Sequence, residues 1–329
     1  MKATRYIFAA TLAVIAAVAC QKESMQKTHP EIIINATIDN TETKTVLGEG
    51  FTGTDGKVHH KVLWACDKSN ESFSLFDGAG NNHRFITYDA KNAKEDLTSA
   101  NFYYYAHKDY TTSFDTFTAA DTYYALYPLA KGNKADRKSN TVTISTIPAD
   151  QIAVLNGFEN DLAVAFGTSN STYTTEDDKH YINMSFTNLT ALIKFEITGE
   201  DITQIRFTNN SDALSPNPTL YGSGITYNYV DKSFGDGKGS QIYLHNTISE
   251  SEVDGTATYS FTPLSAGVYY IVVIPRTLVP RVDIYTGTSH TGTHQSKAAK
   301  TIKGTKAVDL KPGMILDLGK FNSSGRVTE

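Results

Sequence analysis

Apolar and polar residues alternate with a period of two along most of this chain. In residues 31–39, Ile32, Ile34, Ala36 and Ile38 fall on one face, with Asn35 and Thr37 on the other. That is the pattern of a half-buried strand. Residues 141–147 repeat it, with Val142 and Ile144 inward and Thr141, Thr143 and Ser145 outward. In 191–198, Ile193, Phe195 and Ile197 alternate with Lys194, Glu196 and Thr198, and 204–208 alternates likewise. The run Val268 to Ile274 is apolar throughout and stops at Pro275, which suits a strand buried on both faces. Residues 101–106 and 122–127 are aromatic-rich strands, the second closed by Pro128. Residues 72–76 and 83–88 flank the turn sequence Asp77-Gly78-Ala79-Gly80-Asn81 and predict a hairpin. Shorter strands are predicted at 61–64, 162–166, 181–186, 241–244, 257–261, 281–285, 306–310 and 314–318. Residues 40–60, rich in Thr, Gly and Asp, read as a long loop or weak hairpin. Many short strands with turns between them predict an all-β protein of sandwich type.

Residues 167–180 are polar and nearly devoid of apolar side chains, and alternation restarts at Tyr181. The border between two domains is placed there, giving an N-terminal β-sandwich at 31–178 and a C-terminal β-sandwich at 179–322. Residues 323–329 form a short polar tail.

The first thirty residues differ from the rest. Lys2 and Arg5 precede an apolar run from Tyr6 to Ala19, the layout of a secretory signal. The run is shorter than the roughly 20 apolar residues of a membrane-spanning helix. Ala17 and Ala19 ahead of Cys20 resemble a bacterial lipobox. The resemblance implies cleavage after Ala19, removal of a signal peptide at 1–19, and lipidation of Cys20. Residues 20–30 then form a polar, lipid-anchored tether ending at Pro30. Gln21-Lys22-Glu23 resembles surface-export signals of Bacteroides-type lipoproteins.

The net charge is −5, from 30 basic and 35 acidic residues, so nothing points to nucleic acid. Nineteen Tyr and sixteen Phe stand against one Trp, a composition suited to pleated surfaces. Of the two Cys, Cys20 is committed to the anchor, which leaves Cys66 without a disulfide partner and reading as a core residue beside Trp64. The sequence holds no nucleophile elbow, phosphate-cradling loop or His-Glu-x-x-His. The Gly-dense stretch 235–239 reads as a hairpin tip. His290 and His294 would lie about 13 Å apart on an extended strand, too far to share a metal. His59 and His60 read as solvated loop residues, and Glu176-Asp177-Asp178 lacks the spacing of a calcium loop. No catalytic residue, metal or cofactor is predicted, and the chain is read as a non-enzyme.

Several stretches, in order, resemble the fimbrillin-like lipoproteins that build the type V pili of Bacteroides-type bacteria. These are Thr43-Lys44-Thr45, then Val62-Leu63-Trp64-Ala65-Cys66-Asp67 running into Phe73-Ser74-Leu75-Phe76. Next come Tyr123-Tyr124-Ala125-Leu126-Tyr127-Pro128, the Pro148-Ala149-Asp150-Gln151 segment, and the Phe strand Asn183-Met184-Ser185-Phe186-Thr187. Pro312-Gly313-Met314-Ile315-Leu316 closes the series. Cys66 stands where the family usually has Gly. The resemblance implies two tandem transthyretin-like β-sandwich domains, an outer-membrane lipid anchor, and pilus subunits as partners through strand exchange, with a host protein or glycan as a further partner. It also implies a first strand whose groove residues are Ile32, Ile34 and Ile38. That strand is removable by a maturation cut, for which Lys44, Lys57 and Lys61 offer the basic sites between residues 39 and 61. Because the tail after Phe321 carries one apolar residue, Val327, it cannot supply an alternating donor strand. The expected place is therefore a pilus end, tip or anchor, rather than the shaft. The alternative reading is a surface glycan-binding lipoprotein that uses its aromatics as platforms.

Overall fold

The computed structural model describes residues 31–38, 46–52, 58–64, 71–87, 98–105, 117–159, 161–170, 174–176, 179–214, 216–253 and 255–327. The alternating segments become β1 (Glu31–Ile38), β2 (Val46–Thr52), β3 (Val58–Leu63), β4 (Ser72–Phe76), β5 (Asn82–Ile86), β6 (Ser99–Tyr104), β7 (Tyr124–Tyr127), β8 (Lys134–Asp136), β9 (Thr141–Ile147) and β10 (Asp150–Ile152). The chain continues through β11 (Ala165–Ser169), β12 (Thr174–Glu176), β13 (Lys179–Asn188), β14 (Ala191–Ile197), β15 (Gln204–Asn209), β16 (Gly222–Asn228), β17 (Ser233–Phe234), β18 (Gln241–His245) and β19 (Ser249–Val253). It ends with β20 (Thr256–Ser260), β21 (Gly267–Val273), β22 (Thr277–Leu278), β23 (Pro280–Tyr285), β24 (Ser289–His290), β25 (Lys300–Lys303), β26 (Val308–Asp309), β27 (Ile315–Asn322) and β28 (Gly325–Val327). No helix occurs among the described residues, and the fold is all-β.

The first sheet runs β1-β6-β5-β4-β7-β11-β13-β12, and β1 also pairs with β13. Seven strands therefore close into a ring, with β12 attached outside it on β13. Closure leaves these seven without a free edge. Alternation along each strand sends one set of side chains into the ring: Ile34 from β1, Phe73 and Leu75 from β4, Phe102 from β6, Tyr127 from β7 and Phe186 from β13. The other face of β4, β7 and β11 carries Phe76, Leu126 and Phe166 into a second core. There they meet Val142 and Ile144 of β9 and Ile225 and Tyr227 of β16, from the sheet β17-β16-β9-β8.

A third core lies between the sheets β10-β18-β15-β23-β25 and β21-β14-β27-β28. It is filled by Ile193 and Phe195 of β14, Ile205 and Phe207 of β15, and Ile271 and Val273 of β21. The alternate residues Tyr270 and Val272 pack on the far side against Phe158 and Leu162. β21 is thus buried on both faces, as its unbroken apolar run predicts.

The border drawn at 178/179 meets a more interlocked arrangement. β13 begins at Lys179 yet completes the ring, whereas β9 and β10 pair with β16 and β18 of the second half. Gln151 shows what this interlock does. Its side-chain amide donates to the Val272 carbonyl at 2.7 Å and accepts from the Val272 N–H at 2.9 Å. One glutamine thus stands in for a neighbouring strand at the edge of β21 and satisfies two backbone groups that water cannot reach. Gln151→Leu is expected to cost about 1–3 kcal/mol for each group left unpaired, measured by denaturant unfolding. A loss below about 0.5 kcal/mol, the ordinary size of a surface substitution, would contradict that role.

Three sequence expectations need correction. β2 and β3 pair antiparallel, so the backbone of His59 and His60 is strand rather than loop. The stretch 235–239 is not a hairpin tip. The turn between β16 and β17 comes earlier, and Gly237 and Gly239 instead lie against Tyr221, where a Cβ on Gly237 would come within 2.5 Å of the Tyr221 carbonyl oxygen. Of the strand expected at 306–310, only Val308–Asp309 forms.

Candidate functional site: the slot filled by the first strand

β1 is the element whose sequence position and spatial position differ most. It pairs with β13 in parallel over all eight residues and with β6 antiparallel over five. Thr37 and Ser185, side by side across the first pair, are 148 residues apart in sequence. The first described strand therefore closes a ring whose other six staves come from residues 72–188.

Register follows from the two faces of β1. Inward, Ile34 lies opposite Phe102 on one side and Ile182 on the other, and Ala36 lies opposite Ala100 and Met184. Ile32 is 2% exposed and Ile34 and Ala36 not at all. Outward, Asn35 donates from its side-chain amide to Asn101 Oδ1 at 3.2 Å, and the Thr37 hydroxyl donates to the Met184 carbonyl at 3.3 Å. A one-residue slip would turn Ile32, Ile34 and Ala36 out and bring Asn35 and Thr37 in, so only one register fits.

Beneath β1 lies an aromatic floor. The Trp64 ring sits edge-on to Phe102 at 4.8 Å, to Tyr127 at 5.6 Å and to Phe186 at 5.7 Å. Phe73 reaches the same two phenylalanines at 4.6 and 5.1 Å. Phe102 and Phe186 belong to the two strands that flank β1, so the floor spans the slot. Gly167 of β11 permits this packing, since a Cβ there would come within 2.8 Å of the Phe186 ring. At the other end of the floor the Tyr127 hydroxyl donates to Glu71 at 2.6 Å, with Asp161 Oδ1 3.3 Å away. Burial, and then the two carboxylates, push this phenol well up, so it stays a donor.

With β1 absent, the slot would present two unpaired strand edges of opposite sense over an apolar floor. It would accept an extended segment antiparallel to β6 and parallel to β13, with apolar side chains at alternate positions. That is recognition by strand addition, in which main-chain hydrogen bonds give affinity and alternate side chains give specificity.

Of the residues singled out from sequence, Ile32 and Ile34 lie in the slot. Ile38 is paired through its backbone with Phe186, and its side chain lies outside the described residues. Ala19, Cys20, Lys44, Lys57 and Cys66 lie outside them too. Lys61 is in β3, at the register shift between the pairs Leu47–Val62 and Gly50–His60. His290 contacts Gly292 and Ser296, while His294 turns away to Asp150 at 2.6 Å and stacks on Tyr243 at 3.8 Å. The flanking residues Ala100, Phe102, Ile182 and Met184 were not read as site residues. The signal was there in the alternation of Ile182, Met184 and Phe186, but it named a strand and not its neighbour.

No family model matches the chain, and no curated protein matches it. Among solved structures, one similar chain is a protein from Bacteroides ovatus assigned to cell adhesion, with 10% identity and a TM-score of 0.47 over 92% of this chain and 100% of that one. A Bacteroides fragilis protein with the same assignment has 14% identity and a TM-score of 0.43, covering 91% of this chain and 95% of that one. The fimbrial anchor protein Mfa2 from Porphyromonas gingivalis has 8% identity and a TM-score of 0.32, covering 78% of each chain. These three solved structures are two Bacteroides proteins assigned to cell adhesion and a Porphyromonas fimbrial anchor protein.

Proposed function

We propose that this chain is a fimbrillin-like structural subunit, lipid-anchored at Cys20 to the outer membrane and exposed at the cell surface. In this reading its two halves are tandem transthyretin-like domains, the first completed by β1. The observation that carries it is β1 itself, an early strand paired on both sides and seated on an apolar floor. A cut at Lys44, Lys57 or Lys61 would separate β1 from the rest of its ring and let a neighbour's strand enter. An uncut chain would keep its slot filled.

The place in the pilus is an end, either tip or anchor. Lys320, Phe321 and Asn322 of β27 pair with Val327, Arg326 and Gly325 of β28. Residues 325–327 are thus held in their own sheet and not offered to another subunit. The glycan-platform reading loses its best residue, because Trp64 is fully buried. Gold labelling of this chain on isolated pili tests the proposal: one terminal spot per pilus is expected, and repeated labelling along the shaft overturns it.

A further inference from the structure

The second half contains a cleft that the strand-exchange reading does not use. Its cavity, about 340 Å³, lies where the sheets holding β25 and β27 diverge. That is at the small end of the size range of ligand pockets. The floor is aliphatic and aromatic: Val282 from β23, Ile302 from β25, and Leu316, Leu318 and Phe321 from β27. Leu316 and Leu318 are only half-buried, on the part of β27 that β28, pairing with 320–322 alone, does not flank, whereas Ile193 and Phe195 on neighbouring β14 are buried.

The rim has one sign of charge. Lys303, Lys306 and Arg326 line the cleft, and no carboxylate does. Lys303 is paired with Asp212 at 2.5 Å. Arg326 gives one guanidinium N–H to the Leu318 carbonyl at 2.7 Å, which holds it over the mouth with other donors to offer. Lys306 is exposed. The lip between Lys303 and Lys306 is held by Gly304, whose N–H donates to the Pro280 carbonyl at 2.7 Å and where a Cβ would come within 2.8 Å of that oxygen. At one end β25 and β28 meet, since a Cβ on Gly325 would touch Lys300 at 3.2 Å.

We infer that this cleft binds a free, single-chain aliphatic carboxylate. The chain would lie over Leu316 and Leu318, and the carboxylate would sit between Lys306 and Arg326. An apolar cleft with a cationic mouth matches a molecule with one apolar tail and one anionic head. This site is independent of β1, so it stands or falls apart from the pilus proposal.

The test is calorimetric titration of the exported chain carrying Cys20→Ala, so that no acyl anchor competes. Octanoate, decanoate and dodecanoate are used below their micelle concentrations, with dodecanol as the neutral control. Saturable one-to-one binding is expected, tightening about fourfold per added methylene until the cavity is full. Dodecanol should bind at least about tenfold more weakly, in keeping with the worth of a charged hydrogen bond. Lys306→Glu should weaken dodecanoate and leave dodecanol unchanged. Thr305→Trp, at the exposed lip, should block both without touching the core. Absence of saturable binding, equal affinity for dodecanol, equal affinity for a zwitterionic lysophospholipid, or indifference to Lys306→Glu would each overturn the assignment.

Discussion

Ile34→Asp is expected to prevent the first ring from folding with its own β1. Ile34 is fully buried, between Phe102 on β6 and Ile182 on β13. Loss of the aliphatic side chain alone costs about 2–5 kcal/mol. A carboxylate in its place has no cation among the paired neighbours and must protonate or break the pairing. The sum exceeds about 4 kcal/mol, a large part of what a domain of this size has. Urea unfolding followed by circular dichroism would measure it. In a particle that has exchanged β1 for a neighbour's strand, position 34 is no longer inside the ring. The same substitution should then have no effect on stability once assembly is complete.

Trp64→Ala is expected to have the second-largest effect, about 3–5 kcal/mol. The indole is fully buried and touches rings from β6, β7 and β13. Those are non-adjacent staves of the ring, so the cavity left behind cannot be closed by one strand moving. Trp64→Phe should recover most of the loss. A Trp64→Ala chain that unfolds at the wild-type urea concentration would mean that the aromatic floor is not what holds the ring together.

The strands themselves were legible in the sequence wherever alternation or an unbroken apolar run was strong. Residues 141–147 form a strand with the expected bounds, and Val142 and Ile144 point inward. β16 was not legible. Two glycines and exposed Ser223 interrupt its pattern, and it is a strand because β9 lies beside it. β28 is similar, a three-residue strand made by its neighbour. Pairing partners were less legible than strands. Alternation in β1 shows that Ile32 and Ile34 face a core, but not that β13 supplies half of it, because that contact spans 148 residues. For the same reason Tyr181 to Phe186 was assigned to the second half. Gln151 stood out only as part of a family-like segment. Its job on the Val272 backbone depends on β10 crossing to the other half. The cationic cleft was invisible, since Ile302, Lys306, Leu318 and Arg326 come from separate elements and share no local pattern.

The proposed function requires that β1 sit in an exchangeable strand site. Trp64 is the only tryptophan and lies under that site, so its fluorescence reports whether the slot is filled. A protease site placed at residues 40–45 would let β1 be cut, removed in denaturant, and replaced during refolding by a synthetic peptide. A peptide with the sequence of Glu31–Ile38 is expected to be taken up one-to-one and to return the buried, blue-shifted emission of Trp64. A peptide with Asp in place of the three isoleucines 32, 34 and 38 should leave the emission red-shifted. Refolding to the same blue-shifted state without any peptide, or with either peptide equally, would show that β1 is not an exchangeable strand.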